Sequence, residues 1–109
     1  MPAADHTTDA SVEGVHFDRR YVAPESIGHR ALAANLSDLA AMGAAPRAAL
    51  LSLGLPAQLS MRDLEGVLHG FVALAARHQL PLVGGNVTRS PGPVFIDVTL
   101  TGGVKRAAR

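Results

Sequence analysis

VFIDVTLTG, residues 94–102, leaves the chain less freedom than any other stretch. Val94, Ile96, Val98 and Leu100 alternate with Phe95, Asp97, Thr99 and Thr101. Side chains that repeat every two residues belong to an extended strand, and one apolar row beside one mixed row makes it half-buried.

A second periodicity comes from residues 60–78. Leu64, Val67, Leu68, Phe71, Leu74, Ala75 and His78 recur at helical spacing, so one face of a helix is core. Ser60 followed by Asp63 resembles a capping box and sets the start near Ser60. An earlier helix is expected from about Pro24 to Met42. Pro24 suits its first turn, Glu25 favours its positive end, and Gly43 with Pro46 just beyond supplies the stop. RAALLSLGL, residues 47–55, reads as a buried strand ended by Pro56. DASVEGVHF, residues 9–17, is expected to be short and extended, with Gly14 allowing a bulge or close approach. RRYVAPES is a loop. LPLVGGN, residues 80–86, reads as a short strand running into a glycine turn, and TRSPGPV as a loop. The order is β-α-β-α-β-β, which places the chain in the α/β or α+β class.

Composition narrows the function. At 109 residues the chain suits one small domain with one core. Its 48% hydrophobic content supports a globular fold, and aromatics at 4% leave Leu, Val and Ala to fill the interior. A net charge of +1 gives no electrostatic case for a nucleic-acid or membrane-surface partner. With no cysteine, disulfides and thiolate metal sites are excluded, and the composition is compatible with a reducing cytoplasm. No apolar run approaches the roughly 18 residues that a bilayer demands. MPAADHTTD lacks the basic-then-apolar pattern of a signal peptide. Lys105, Arg106 and Arg109 are read most simply as a solvated basic tail.

Four places carry chemistry. In ALAANLSDLAAMGAAP, residues 31–46, Leu32, Leu36 and Leu39 share one arc of the helix. Asp38 falls on another stripe with Ala31, Ala34 and Met42. A carboxylate among small apolar neighbours suggests either an acid approached by a metal or ligand, or one that caps a loop or pairs with an arginine. Thr7, Thr8 and Asp9 bring together hard oxygens that suit Mg²⁺, and equally the side chains that make a polar turn. His16 is one of five scattered histidines, none paired at a metal-ligand spacing, and its plainest role is structural. GGNVTRSPGP lets backbone amides near Gly85 approach an anion, with Arg89 to meet a phosphate, or else serves as a glycine-rich connection. It is neither GxxxxGK[ST] nor GxGxxG.

TTDASVEGVHFD, IGHRALAANLSDLAAMGAAP, LSLGLP and LVGGNVTRSPGP, in this order and spacing, resemble the N-terminal domain of thiamine-monophosphate kinase. The wider superfamily includes aminoimidazole ribonucleotide synthetase. The resemblance covers about residues 6–103. It implies an α+β sandwich with a mixed sheet and helices on one face. It also implies an enzyme that moves the γ-phosphoryl of ATP to thiamine phosphate, directly in line and assisted by Mg²⁺. On this likeness Thr7, Thr8, Asp9 and Asp38 serve the metals, His16 contacts thiamine phosphate, and Gly85 and Asn86 contact nucleotide. Many members carry Asp where Asn86 stands, and a neutral amide is a weaker Mg²⁺ ligand, so nucleotide contact carries over more readily than metal binding. A homodimer through the N-terminal sheet, with Val94–Thr101 contributing, is implied as well. The family's acidic Gly-Asp-Asp segment and its C-terminal domain have no counterpart in these 109 residues. The expectation is therefore one partial ATP- and Mg²⁺-binding domain over 1–109. The alternative is a non-catalytic dimerisation or nucleotide-binding module of the same fold.

Overall fold

The computed structural model describes residues 4–104. Four strands and two helices follow one another as β1 (Ala4–Val12), α1 (Pro24–Ala41), β2 (Ala44–Leu55), α2 (Met61–Arg77), β3 (Leu82–Arg89) and β4 (Phe95–Val104). They form one sheet in the order β1-β4-β2-β3. β4 runs antiparallel to both β1 and β2, whereas β2 and β3 are parallel. A parallel pair cannot be joined by a tight turn, and α2 supplies the crossover. The sheet is thus mixed, as expected, and the class is α+β.

Alternation in β4 decides the layering. Ile96, Val98 and Leu100 have no exposed surface. They stand opposite Leu53, Leu51 and Ala49 of β2 in register, and these are buried as well. Leu32 and Leu39 of α1, with Val67, Phe71 and Leu74 of α2, complete this single core. Each fully buried Leu, Ile or Val contributes on the order of 2 kcal/mol, so this face holds the fold together. On the reverse face lie Phe95, Asp97 and Thr99 of β4, each half-buried, and Leu50 of β2, exposed. The Phe95 ring occupies the space above Gly54, where a Cβ would collide with it. One oxygen of Asp97 is buried on this face without a hydrogen-bond partner.

Both helices have the ends the sequence announces. Pro24 opens α1, and Gly43, at φ +73°, turns the chain straight into β2. Ser60 caps α2 by accepting the Asp63 N–H at 3.0 Å. Where the helices cross, their backbones nearly touch. A Cβ on Gly28 would strike the Val67 carbonyl, and one on Gly70 the Glu25 carbonyl.

Three boundaries differ from expectation. β1 begins before the polar HTTD segment instead of at Asp9, and residues 13–17 form a turn instead of its end. β2 starts at Ala44, and Pro46 is tolerated where its ladder with β4 shifts register between Pro46 and Ala48. Gly84 and Gly85 are not a turn. β3 continues through them to Arg89, because Gly85, at φ +146°, packs against the Leu51 carbonyl where any side chain would collide. Among the described residues no helix is long and apolar enough to cross a membrane. Lys105, Arg106 and Arg109 lie outside the described residues.

Candidate functional site

The helix residue that penetrates the core is Asn35, not Asp38. Asn35 has no exposed surface, while Asp38 is exposed, as are Ala34 and Met42 of its stripe. An acid on a stripe of small residues is therefore solvated here, and the need for a buried counter-charge disappears. Asn35 was legible from spacing: it lies three residues after Leu32 and four before Leu39, inside the core arc. Its carbonyl oxygen accepts the Thr7 hydroxyl at 3.0 Å, and its amide donates to the Ala31 carbonyl at 3.1 Å. This contact joins the two segments that carry acids. Asp9 follows Thr7 by two residues on β1, at the register position opposite Val98. Asp38 lies one helical turn beyond Asn35. The side chain of Asp9 is outside the described residues.

Adjacent threonines serve opposite faces of β1, as strand parity requires. Thr7 looks to the helices. Thr8 shares a hydrogen bond with Thr99 at 3.1 Å on the reverse face. Thr7 and Thr8 are thus not brought to one point by their side chains.

His16 lies in the turn after β1. Its ring Nδ1 accepts the Val12 N–H at 2.9 Å, and its backbone N–H donates to the Val12 carbonyl at 2.8 Å. Glu13, not singled out by any motif reading above, anchors this turn. One carboxylate oxygen accepts the Val94 N–H at 3.1 Å, and the other accepts Arg19 Nε at 2.6 Å. Burial alone would raise the Glu13 carboxyl, but the Arg19 and Val94 bonds outweigh it and hold it below the ordinary carboxylate range. Arg19 also reaches toward Asp63 at the start of α2, 3.9 Å away. Beside it, Arg20 clasps Asp18 with its guanidinium and its backbone N–H, which lowers the Asp18 carboxyl.

Gly85, Asn86 and Arg89 lie on β3, exposed along its whole length. β3 and β1 are opposite edges of the sheet, three strand spacings apart, or about 14 Å. Asn86 stands opposite Ser52 and Arg89 opposite Leu55. Leu51, Leu53, Leu68, Leu82 and Val87 line an open groove of about 460 Å³ beside the glycine pair. The chain therefore carries three separated groups: Thr7 with Asn35 and Asp38, the His16 turn, and the β3 edge. Among the described residues no three His, Asp or Glu side chains converge on one metal position. The donor chemistry of the first group, a hydroxyl and exposed carboxylate oxygen, is nevertheless of the hard type that Mg²⁺ takes, with water and ligand oxygens completing its shell.

Residues 3–104 match the family described as "AIR synthase related protein, N-terminal domain". The chain is 36% identical over 98 residues to a thiamine-monophosphate kinase of Bacillus subtilis (strain 168), covering 90% of this chain and 30% of that protein. It is 44% identical over 85 residues to a thiamine-monophosphate kinase of Synechococcus elongatus, covering 78% of this chain and 26% of that one. Among solved structures, AaThiL complexed with AMPPCP and TMP superposes with a TM-score of 0.90 at 36% identity, over 96% of this chain and 33% of that chain. The chain thus spans about 30% of the length of the curated relatives it matches.

Proposed function

The chain belongs to the AIR synthase related protein family, as its N-terminal domain, and from that premise we propose that it serves a thiamine-phosphate kinase. The reaction would be phosphorylation of thiamine phosphate to thiamine diphosphate by direct in-line transfer from ATP. The observation that carries this reading is the likeness over nearly the whole chain to a relative complexed with AMPPCP and TMP. Residues 1–109 would act as the ATP- and Mg²⁺-binding N-terminal domain of a longer enzyme, working in the cytoplasm.

Each residue group has a part in this proposal. Asp9, Asp38 and the Thr7 hydroxyl would hold Mg²⁺, with Asn35 fixing the strand against the helix between them. Thr8 faces away and would contribute at most through its backbone. Mg²⁺, when bound, supplies charge neutralisation for the transferring phosphoryl group. Gly85 brings bare backbone to the nucleotide phosphates, with Arg89 further along the same edge as a phosphate partner. Asn86 would contact nucleotide, and its neutral amide makes it a weaker metal ligand than a carboxylate. His16 would contact the phosphate of thiamine phosphate. No covalent nucleophile is needed, because this chemistry rests on positioning and electrostatics.

A second reading is favoured by one observation: the β1 and β3 groups lie on opposite edges about 14 Å apart. A single copy with that spread fits a nucleotide-binding or dimerisation module that catalyses nothing by itself. Calorimetric titration of ATP into the chain, with and without Mg²⁺, tests the assignment. Mg²⁺-dependent binding is expected. Asp38→Asn should weaken it by more than the roughly 10–100-fold that outer-shell changes cost, with the unfolding midpoint unchanged. Equal binding in EDTA, or by the Asp38 variant, overturns the metal role. A coupled assay with ATP, Mg²⁺ and thiamine phosphate then separates the kinase from the module.

A further inference from the structure

We propose that Glu13 is a positioning residue: together with Arg19 it clasps the 13–17 turn to the start of β4, so that His16 presents Nε2–H as a hydrogen-bond donor to an anionic oxygen. The two oxygens of Glu13 are used separately, one by the Val94 N–H at 3.1 Å and one by Arg19 Nε at 2.6 Å. The Glu13 N–H also donates to the Val94 carbonyl at 2.9 Å. Residues 81 apart in sequence are thus joined by two bonds, and Arg19 carries the tie toward α2. Inside the turn, Gly14 at φ +87° donates to the Phe17 carbonyl at 2.7 Å, which reverses the chain and returns the His16 ring to Val12.

The ring's own bond then decides its chemistry. A ring nitrogen that accepts a hydrogen bond carries no proton, and a neutral imidazole has one proton to place. With Nδ1 accepting the Val12 N–H, that proton is on Nε2. His16 is exposed, so Nε2–H is free to meet a ligand. In this form it donates to a phosphate oxygen and offers no lone pair at Nε2 with which to take a proton. That the anion is the phosphate monoester of the substrate rests on the proposed kinase reading; the clasp does not.

Long-range ¹H–¹⁵N correlation of the labelled 109-residue chain at about pH 8, above the ordinary imidazole range, reads the tautomer directly. The Nε2–H form is expected. In Glu13→Ala, which removes both charge-assisted bonds, the ring should average both tautomers, and Val12 amide exchange should rise by at least about tenfold. Amides of Ile96, Val98 and Leu100 should keep their protection. Glu13→Gln, with one acceptor oxygen in place of two, keeps a folded comparison if the alanine variant is too unstable, and it should fall between. An Nδ1–H ring in the wild type, or ring and Val12 signals unmoved in either variant, overturns the proposal. Adding thiamine phosphate should shift the His16 Nε2 signal. If it does not, while the Glu13 variants behave as expected, the clasp stands and the substrate assignment falls.

Discussion

Asn35 has no exposed surface, and its two side-chain ends are bonded to β1 and to its own helix. Replacing it by Leu keeps the branched shape but leaves the Thr7 hydroxyl without its acceptor. The expected cost is about 1–3 kcal/mol, measured by urea unfolding. The double change Asn35→Leu with Thr7→Val removes both partners and should recover part of that loss. Asp38→Asn, at an exposed position, should change stability by no more than about 0.5 kcal/mol. Glu13 makes the acid side of the stability curve informative. Its carboxyl lies below its ordinary value of 4.5 because Arg19 and Val94 outweigh the cost of burial. A lowered carboxylate stabilises fully above its unfolded value and loses that contribution as pH falls through its folded one. Acid unfolding of Glu13→Gln should therefore have a shallower limb below pH 4.5 than the wild type. The polar residue in the core was readable from helical spacing, but the acid beside it draws more attention. Spacing says which face a residue occupies, whereas its charge says only what burial there would cost.

At the scale of elements, the crossing of α1 and α2 depends on the absence of side chains at Gly28 and Gly70. Glycine inside a helix is ordinarily about 1 kcal/mol worse than alanine. At Gly70 that gain is reversed, because the added methyl meets the Glu25 backbone carbonyl, which cannot rotate away. Forced separation of two packed helices costs about 1–3 kcal/mol, so Gly70→Ala should lower thermal stability despite its better propensity. The periodic elements α2 and β4 were legible because their signal is internal to the segment. β3 was not. A glycine pair reads as a turn until the parallel partner is known, and the Leu51 carbonyl that explains Gly85 is over thirty residues away. The first half of β1 hides for a different reason. HTTD has no apolar row, since a hydroxyl bonded to Asn35 takes the place of a hydrophobic side chain.

For the molecule as a whole, one face of the sheet carries the helices and the other has no covering layer among the described residues. Leu50, 39% exposed, lies on that open face opposite Thr99, beside the Thr8–Thr99 pair. If two copies meet there, as the homodimer implied by the family resemblance requires, sedimentation should give a dimer that Leu50→Lys converts to monomer with the fold retained. An unchanged mass for both would count against this face. Membership of the candidate site was only partly legible, because sheet order is a property of the whole chain. Nothing local in TTD or GGN reveals that their strands are the two outer edges. The sheet is also one residue thick, and Thr7 and Thr8 are neighbours on opposite sides of it. A slip of β1 by a single position against β4 would put Thr8 where Thr7 now meets Asn35 and turn every other side chain of the strand through the wall. β1 therefore tolerates substitution far better than insertion or deletion: its spelling can drift, but its letter count cannot.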